Sequence, residues 1–101
     1  KLCVNVLSHE QELMARHFAG MTGTSMEERF SWDIWTKGIL GQPMLRGTLA
    51  SLEGEIEQVQ TIGTHLVYLV QIKQITLSEA GHGLIYFKRH FHPVMLEAVA
   101  V

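Results

Sequence analysis

The first seven residues, KLCVNVL, place Leu2, Val4 and Val6 on one face and Cys3, Asn5 and Leu7 on the other. A short run that is mostly apolar on both faces predicts a buried strand, with Asn5 its only polar interruption. Ser8-His9-Glu10-Gln11 follows as a capping box: Ser8 accepts from the Gln11 amide, and the Gln11 side chain returns to the Ser8 amide. A helix over residues 9–19 is expected, because Leu13, Met14, His17, Phe18 and Met21 recur on one stripe while Glu10, Glu12 and Arg16 lie elsewhere, and Gly20 supplies a stop.

From Met21 to Gln42 the periodicity is lost, and this stretch reads as an irregular excursion holding a single helical turn. It includes Trp32 and Trp35, which suit either surface packing or closure over a pocket. Residues 45–59 alternate as a strand, with Thr48, Ala50, Leu52, Gly54 and Ile56 on one side. Gly47 and Gly54 mark bends or a bulge, and Glu53, Glu55 and Glu57 form a solvated row on the other side. A turn near Gln60 leads into Thr61–Leu77, dense in β-branched and aromatic residues, with His65 at its mouth two residues after Gly63. SEAGHG is a loop by composition, and LIYFKRHFH reads as a last strand stopped by Pro93. Strand, helix, excursion and three strands predict a mainly β fold, a small antiparallel barrel carrying one principal helix. Leu66 to Val70 is apolar on both faces, as suits a strand between a barrel interior and either a helix or a second subunit.

Composition narrows the functional classes. A chain of 101 residues with 47% apolar content suits one domain over 1–101. Eight basic against ten acidic residues leave a formal charge of −2, which argues against a nucleic-acid partner. No apolar run approaches the ~20 residues that span a bilayer, and the lone Cys3 has no internal disulfide partner. A soluble cytoplasmic protein of a reducing compartment is expected. The opening at Lys1, without Met and inside a strand, suggests a fragment.

Six histidines raise metal binding first. His90 and His92 are two apart on a strand, with His82 in the preceding loop, but beside Lys88 and Arg89 they read better as a polar exposed face, so no metal site is assigned. His9 reads as surface in the first helical turn and His17 as semi-buried packing. Cys3 lacks a basic neighbour that would lower its pKa, and no serine stands in a GxSxG elbow. GTSMEER lacks the GK[ST] ending of a phosphate loop. The residues offer no catalytic acid, base or nucleophile.

Taken together, LCVNVLSHEQELMARHFAG, GQPML, LASLEGEI, IGTHLVYLVQI and GLIYFKRHFHPV resemble the flavin reductase family with the split-barrel FMN-binding fold. The resemblance runs over all 101 residues in order, and looks closest to reductase components that serve two-component aromatic monooxygenases. Two departures stand out. The family's GDH triplet appears as Gly63-Thr64-His65, without the carboxylate, and nothing matches the family's N-terminal strands, whose Ser/Thr-rich turns hold much of the flavin. The chain therefore resembles the C-terminal part of such a reductase, a split barrel incomplete at its N-terminus.

The resemblance implies NADH-dependent reduction of free FMN or FAD, with hydride passing from nicotinamide to flavin by positioning and without a catalytic residue. Reduced flavin would go to a separate oxygenase that hydroxylates an aromatic such as 4-hydroxyphenylacetate. By the same resemblance His65 would steer NADH, with Gly63 allowing close backbone approach. Asn5 and Ser8 would lie near the flavin, with the helix N-terminus offering amides to its phosphate. Arg16 is a weaker carry-over, Phe18 also satisfies the helix stripe, and Tyr86 and Phe87 either line the pocket or pack the barrel. Family members are homodimers with flavin near the interface. The alternative function is a non-catalytic flavin-binding split barrel.

Overall fold

The computed structural model describes residues 1–96. Its elements are β1 (Leu2–Val6), a 3-10 turn (His9–Gln11), α1 (Glu12–Phe18), α2 (Met26–Ser31), β2 (Trp35–Lys37), β3 (Pro43–Leu45), β4 (Ala50–Ile62), β5 (His65–Leu77), β6 (Gly83–Phe87) and β7 (His90–Val94). The predicted first strand and the helix after it are both present. At their junction the Ser8 N–H donates to Gln11 Oε1 at 3.1 Å, the returning half of the capping box.

β4 is the centre of the main sheet, whose order is β1-β4-β5. It pairs antiparallel with β1, setting Cys3 opposite Glu53 and Asn5 opposite Ser51, and with β5 through the hairpin turn Gly63-Thr64. Gly63 has φ +60°, the left-handed backbone that a tight hairpin turn demands, and no other chain atom lies within 4 Å of where its Cβ would be. Within the described chain this glycine serves the turn. The turn also corrects the expected boundary: Thr61 and Ile62 close β4, and β5 begins at His65.

The register shifts between Glu53 and Gly54 and again between Ile56 and Gln58. A Cβ on Gly54 would meet Gln71 O and Val70 Cγ1 at 2.6 Å each, so only glycine lets the two strands approach there. The expected bulge is therefore real. Beyond it the hairpin runs free, and Val59, Leu66, Tyr68 and Leu69 are all exposed.

Two expectations are corrected, and the barrel is seen only in part. The excursion holds a strand, β2, that pairs antiparallel with β3 just beyond it, besides the helical turn α2. The last strand is two strands: Lys88 and Arg89, with φ +51° and +66°, turn the chain between β6 and β7, and Pro93 lies inside β7 rather than ending it. Finally, the three sheets do not close into a barrel among the described residues. β1 and β5 are both edges of a three-stranded sheet, too few strands for closure.

Side chains are most thoroughly covered where β1 and β4 meet the segment around β3. Leu45 is 5% exposed, and beside it the polar Ser51 and Glu53 are 2% and 1% exposed. The acidic row on β4 thus crosses two environments. Glu55 and Glu57 are exposed as expected, whereas Glu53, on the stretch facing residues 38–45, is buried.

Candidate functional site

A cavity of about 430 Å³ opens between β1, α1 and the excursion. That volume lies in the range of small-molecule sites, which combine apolar walls with a few placed polar groups. One wall is aromatic. Phe30 stacks on Trp35 with centroids 4.9 Å apart, and Phe18 meets Trp35 edge-on at 5.8 Å. Trp35 is held in place by its indole N–H, which donates to Arg29 O at 3.0 Å, and the Arg29 guanidinium sits over the Phe18 ring at 4.9 Å. Of the two alternatives for the Trp pair, Trp35 lines the cavity and Trp32 packs against His17 at 4.7 Å.

Asn5 is one of the polar residues that line the cavity, together with Lys1 and Gln42. Its Oδ1 accepts from the Leu45 N–H at 3.1 Å and from Ser51 Oγ at 3.0 Å, and the Cys3 thiol points at it from 3.7 Å. Asn5 therefore ties β1 to β3 and β4 through its oxygen. Its Nδ2 makes no hydrogen bond among the described residues and is the atom free to donate to a ligand. Burial, and secondly the Glu53 carboxylate, push the Cys3 thiol above its ordinary pKa, so this cysteine is held as a thiol.

The other sequence-derived residues fall in two further places. Ser8 is 6% exposed and bridges to Gly83, which joins the helix start to β6. The amides at that helix start are largely taken: His9 N–H donates to His82 O and Gln11 N–H to Ser8 O, each at 2.9 Å. The expected open cradle of amides for a phosphate is therefore mostly closed. Arg16 pairs with Glu12 at 3.1 Å and lies over the Phe91 ring at 5.0 Å, and Phe91 in turn meets Tyr86 at 4.9 Å. Arg16 and Tyr86 thus share one aromatic ledge on β6 and β7. Phe87 is exposed next to Lys88, whose Nζ is 5.5 Å from its ring.

Gly63 and His65 stand at the tip of the β4–β5 hairpin. His65 is exposed, its Nδ1 3.1 Å from Thr64 Oγ1, and neither residue lines the cavity. Among the described residues no group of three or more His, Cys, Asp or Glu side chains could hold a metal ion. His90 and His92 have ring centroids 6.5 Å apart, and His92 Nε2 is bound to Phe87 O at 3.0 Å.

Sequence reasoning missed Phe30, Gln42, Pro43 and Leu45 as cavity residues. One local signal was available, since Ser25-Met26-Glu27-Glu28 is itself a helix start and Ser25 Oγ accepts from the Glu28 N–H at 3.1 Å. That start places Phe30 on α2 beside Phe18, at a centroid distance of 6.0 Å.

Comparison with known proteins places this geometry. Residues 1–95 match the flavin reductase like domain. The chain is 77% identical over 100 residues to the 4-hydroxyphenylacetate 3-monooxygenase reductase component of Escherichia coli, covering 99% of this chain and 59% of that protein. It is 40% identical over 92 residues to the FMN reductase (NADH) RutF of Cronobacter turicensis, covering 91% of this chain and 54% of that one. The solved structure of the Streptomyces globisporus C-1027 NADH:FAD oxidoreductase SgcE6 in complex with NAD and FAD fragments superposes with a TM-score of 0.79 at 28% identity, covering 96% of this chain and 57% of that one. The chain spans a little over half the length of these relatives. With nearly every residue inside the matched region, this chain belongs to the flavin reductase like domain family.

Proposed function

We propose that this chain is part of an NADH-dependent flavin reductase. In this reading it reduces free FMN or FAD and supplies the reduced flavin to a separate oxygenase that hydroxylates an aromatic such as 4-hydroxyphenylacetate. The observation that carries it is the 77% identity, over almost the whole chain, to a protein named as the reductase component of such an oxygenase. The names of the more distant relatives, an FMN reductase (NADH) and an NADH:FAD oxidoreductase, support the same pair of cofactors.

The residues present fit a flat heteroaromatic group. The Phe30–Trp35 stack offers an apolar wall, and Asn5, which lines the same cavity, offers an Nδ2 with no hydrogen bond among the described residues. When bound, the flavin supplies the two-electron chemistry. The chain's own contribution is orientation and exclusion of water, which needs no general acid or base. Asn5 would fix one edge of the ring, with its oxygen already held by Leu45 and Ser51 so that the amide cannot swing. Arg16 and Tyr86 on the second ledge, Phe87 on the other face of β6 and Ser8 at the helix start would hold other parts of the cofactors. His65, with Nε2 pointing away from its Thr64 contact, would steer the nicotinamide.

The exposed apolar side chains on both sides of the β4–β5 hairpin support a homodimer. The split barrel would then be completed by strands outside this chain, and a cytoplasmic location follows from the proposed supply of NADH. No helix among the described residues is long and apolar enough to cross a membrane. NADH oxidation by the complete natural polypeptide, with and without added FMN or FAD, tests the reading. Consumption that rises only with flavin is expected, and equal consumption in both cases would refute it.

A further inference from the structure

Glu53 is a carboxylate at 1% exposure with no Lys or Arg ion pair among the described residues, an arrangement that is costly unless the group is used as an acceptor. Its Oε1 accepts the Leu40 N–H at 3.1 Å. On its other side it rests against Gly38, where a Cβ would lie 1.9 Å from Oε1 and 2.5 Å from the carboxyl carbon, so no other residue type fits while the carboxylate stays in place. The loop over the carboxylate closes on itself: Gly38 N–H donates to Gln42 O at 3.1 Å and Gly41 N–H to Gly38 O at 2.9 Å. The chain then continues through Gln42, Pro43 and Leu45, which line the 430 Å³ cavity, and is pinned again where the Leu45 N–H meets Asn5. The two pins come from one sheet face, because Cys3 is paired with Glu53 and Asn5 with Ser51 across β1 and β4.

We propose that Glu53 is a positioning residue: through the Leu40 amide and its contact with Gly38, its carboxylate sets the course of residues 38–45 and so the shape of the cavity wall facing Asn5. The ligand of that cavity rests on the reductase reading above, whereas the latch itself does not. An acceptor oxygen is what the geometry requires, so glutamine at this position retains the latch and alanine releases it.

The test uses the complete natural polypeptide with Glu53→Gln, Glu53→Ala, Gly38→Ala and the double variant Glu53→Ala/Gly38→Ala. Hydrogen exchange of the Leu40 amide is measured by NMR, and FMN binding by fluorescence titration. Glu53→Ala is expected to speed Leu40 exchange at least tenfold and weaken FMN at least fivefold, and Glu53→Gln to recover most of both. Gly38→Ala is expected to speed Leu40 exchange in the presence of the carboxylate and to add little once Glu53 is alanine. Unchanged Leu40 exchange in Glu53→Ala, or the same Gly38→Ala effect with and without the carboxylate, would overturn the proposal. If Glu53→Ala does not fold, Gly38→Ala and Glu53→Gln decide it: faster Leu40 exchange in the first with retained protection in the second supports the latch, and any other pairing overturns it. Absence of FMN binding by the unsubstituted protein would refute the reductase reading while the exchange data still decide the latch.

Discussion

Replacing Asn5 by alanine removes the acceptor that joins three elements, and the cost follows from the donors left behind. The Leu45 N–H, on a residue only 5% exposed, loses its 3.1 Å partner. An unpaired buried amide costs about 1–3 kcal/mol, and the upper half is excluded because the adjoining cavity lets water approach. Ser51 Oγ also loses its 3.0 Å partner, but the hydroxyl still has Thr48 Oγ1 at 2.9 Å, so its share is about 0.5–1 kcal/mol. The sum is roughly 1.5–3 kcal/mol. Urea unfolding of the complete polypeptide would show this as a lower midpoint with an unchanged slope. A Ser51→Ala partner completes a double-mutant cycle, because removing the donor as well relieves part of the loss, and a coupling of about 0.5–1.5 kcal/mol is expected. A loss below about 0.5 kcal/mol for Asn5→Ala, or additivity within about 0.3 kcal/mol, would show that the Asn5 contacts do not organise this region.

Further outcomes follow from single contacts. Gly54→Ala places a Cβ 2.6 Å from Gln71 O and is expected to destabilise by about 1–3 kcal/mol in thermal or urea unfolding, with a neutral result contradicting the close strand approach. Cys3 has its pKa raised in the fold, so the stability linked to its proton is fully present below the unfolded value of about 8.5 and is lost as pH rises through the higher folded value. The stability of the natural chain relative to Cys3→Ala should therefore decline above about pH 8.5, and a rising difference would reverse the sign. His65→Ala is expected to lower kcat/KM for NADH about threefold to tenfold and to leave the flavin dissociation constant unchanged, whereas a parallel loss of flavin binding would assign His65 to the other cofactor.

What the sequence disclosed divides along physical lines. β1 and the helix start at Ser8 were legible because each is written locally, in a short apolar run or a cap, whereas the β4–β5 turn, expected near Gln60, lies at Gly63-Thr64. The burial of Glu53 was not legible, because it depends on a loop 13 residues earlier in the chain folding back over β4. Alternation put Glu53, Glu55 and Glu57 in one solvated row, yet pairing with β1 and the cover of residues 38–45 bury Glu53, and the register shift between Ile56 and Gln58 interrupts the row at Glu57. The Lys88-Arg89 turn was hidden for a different reason. Neither residue is a usual turn former, and both adopt a positive φ that costs of order 1 kcal/mol each, so the hairpin is held by β6–β7 pairing rather than by its turn residues. For the candidate site, Asn5 was singled out by the family resemblance, since the pattern alone marks it only as a polar interruption of an apolar strand. The aromatic wall of the cavity was found only in part, since Phe18 lies on a periodic helix but Phe30 and Trp35 lie where periodicity fails.

The most direct test of the central claim is anaerobic stopped-flow mixing of the flavin-loaded complete polypeptide with NADH. The flavin absorbance should bleach in one fast phase whose rate rises with NADH concentration and saturates, as expected when a bound complex precedes electron transfer. Bleaching no faster than that of free flavin with NADH alone would contradict the account, and would leave this family member a flavin-binding protein without reductase activity.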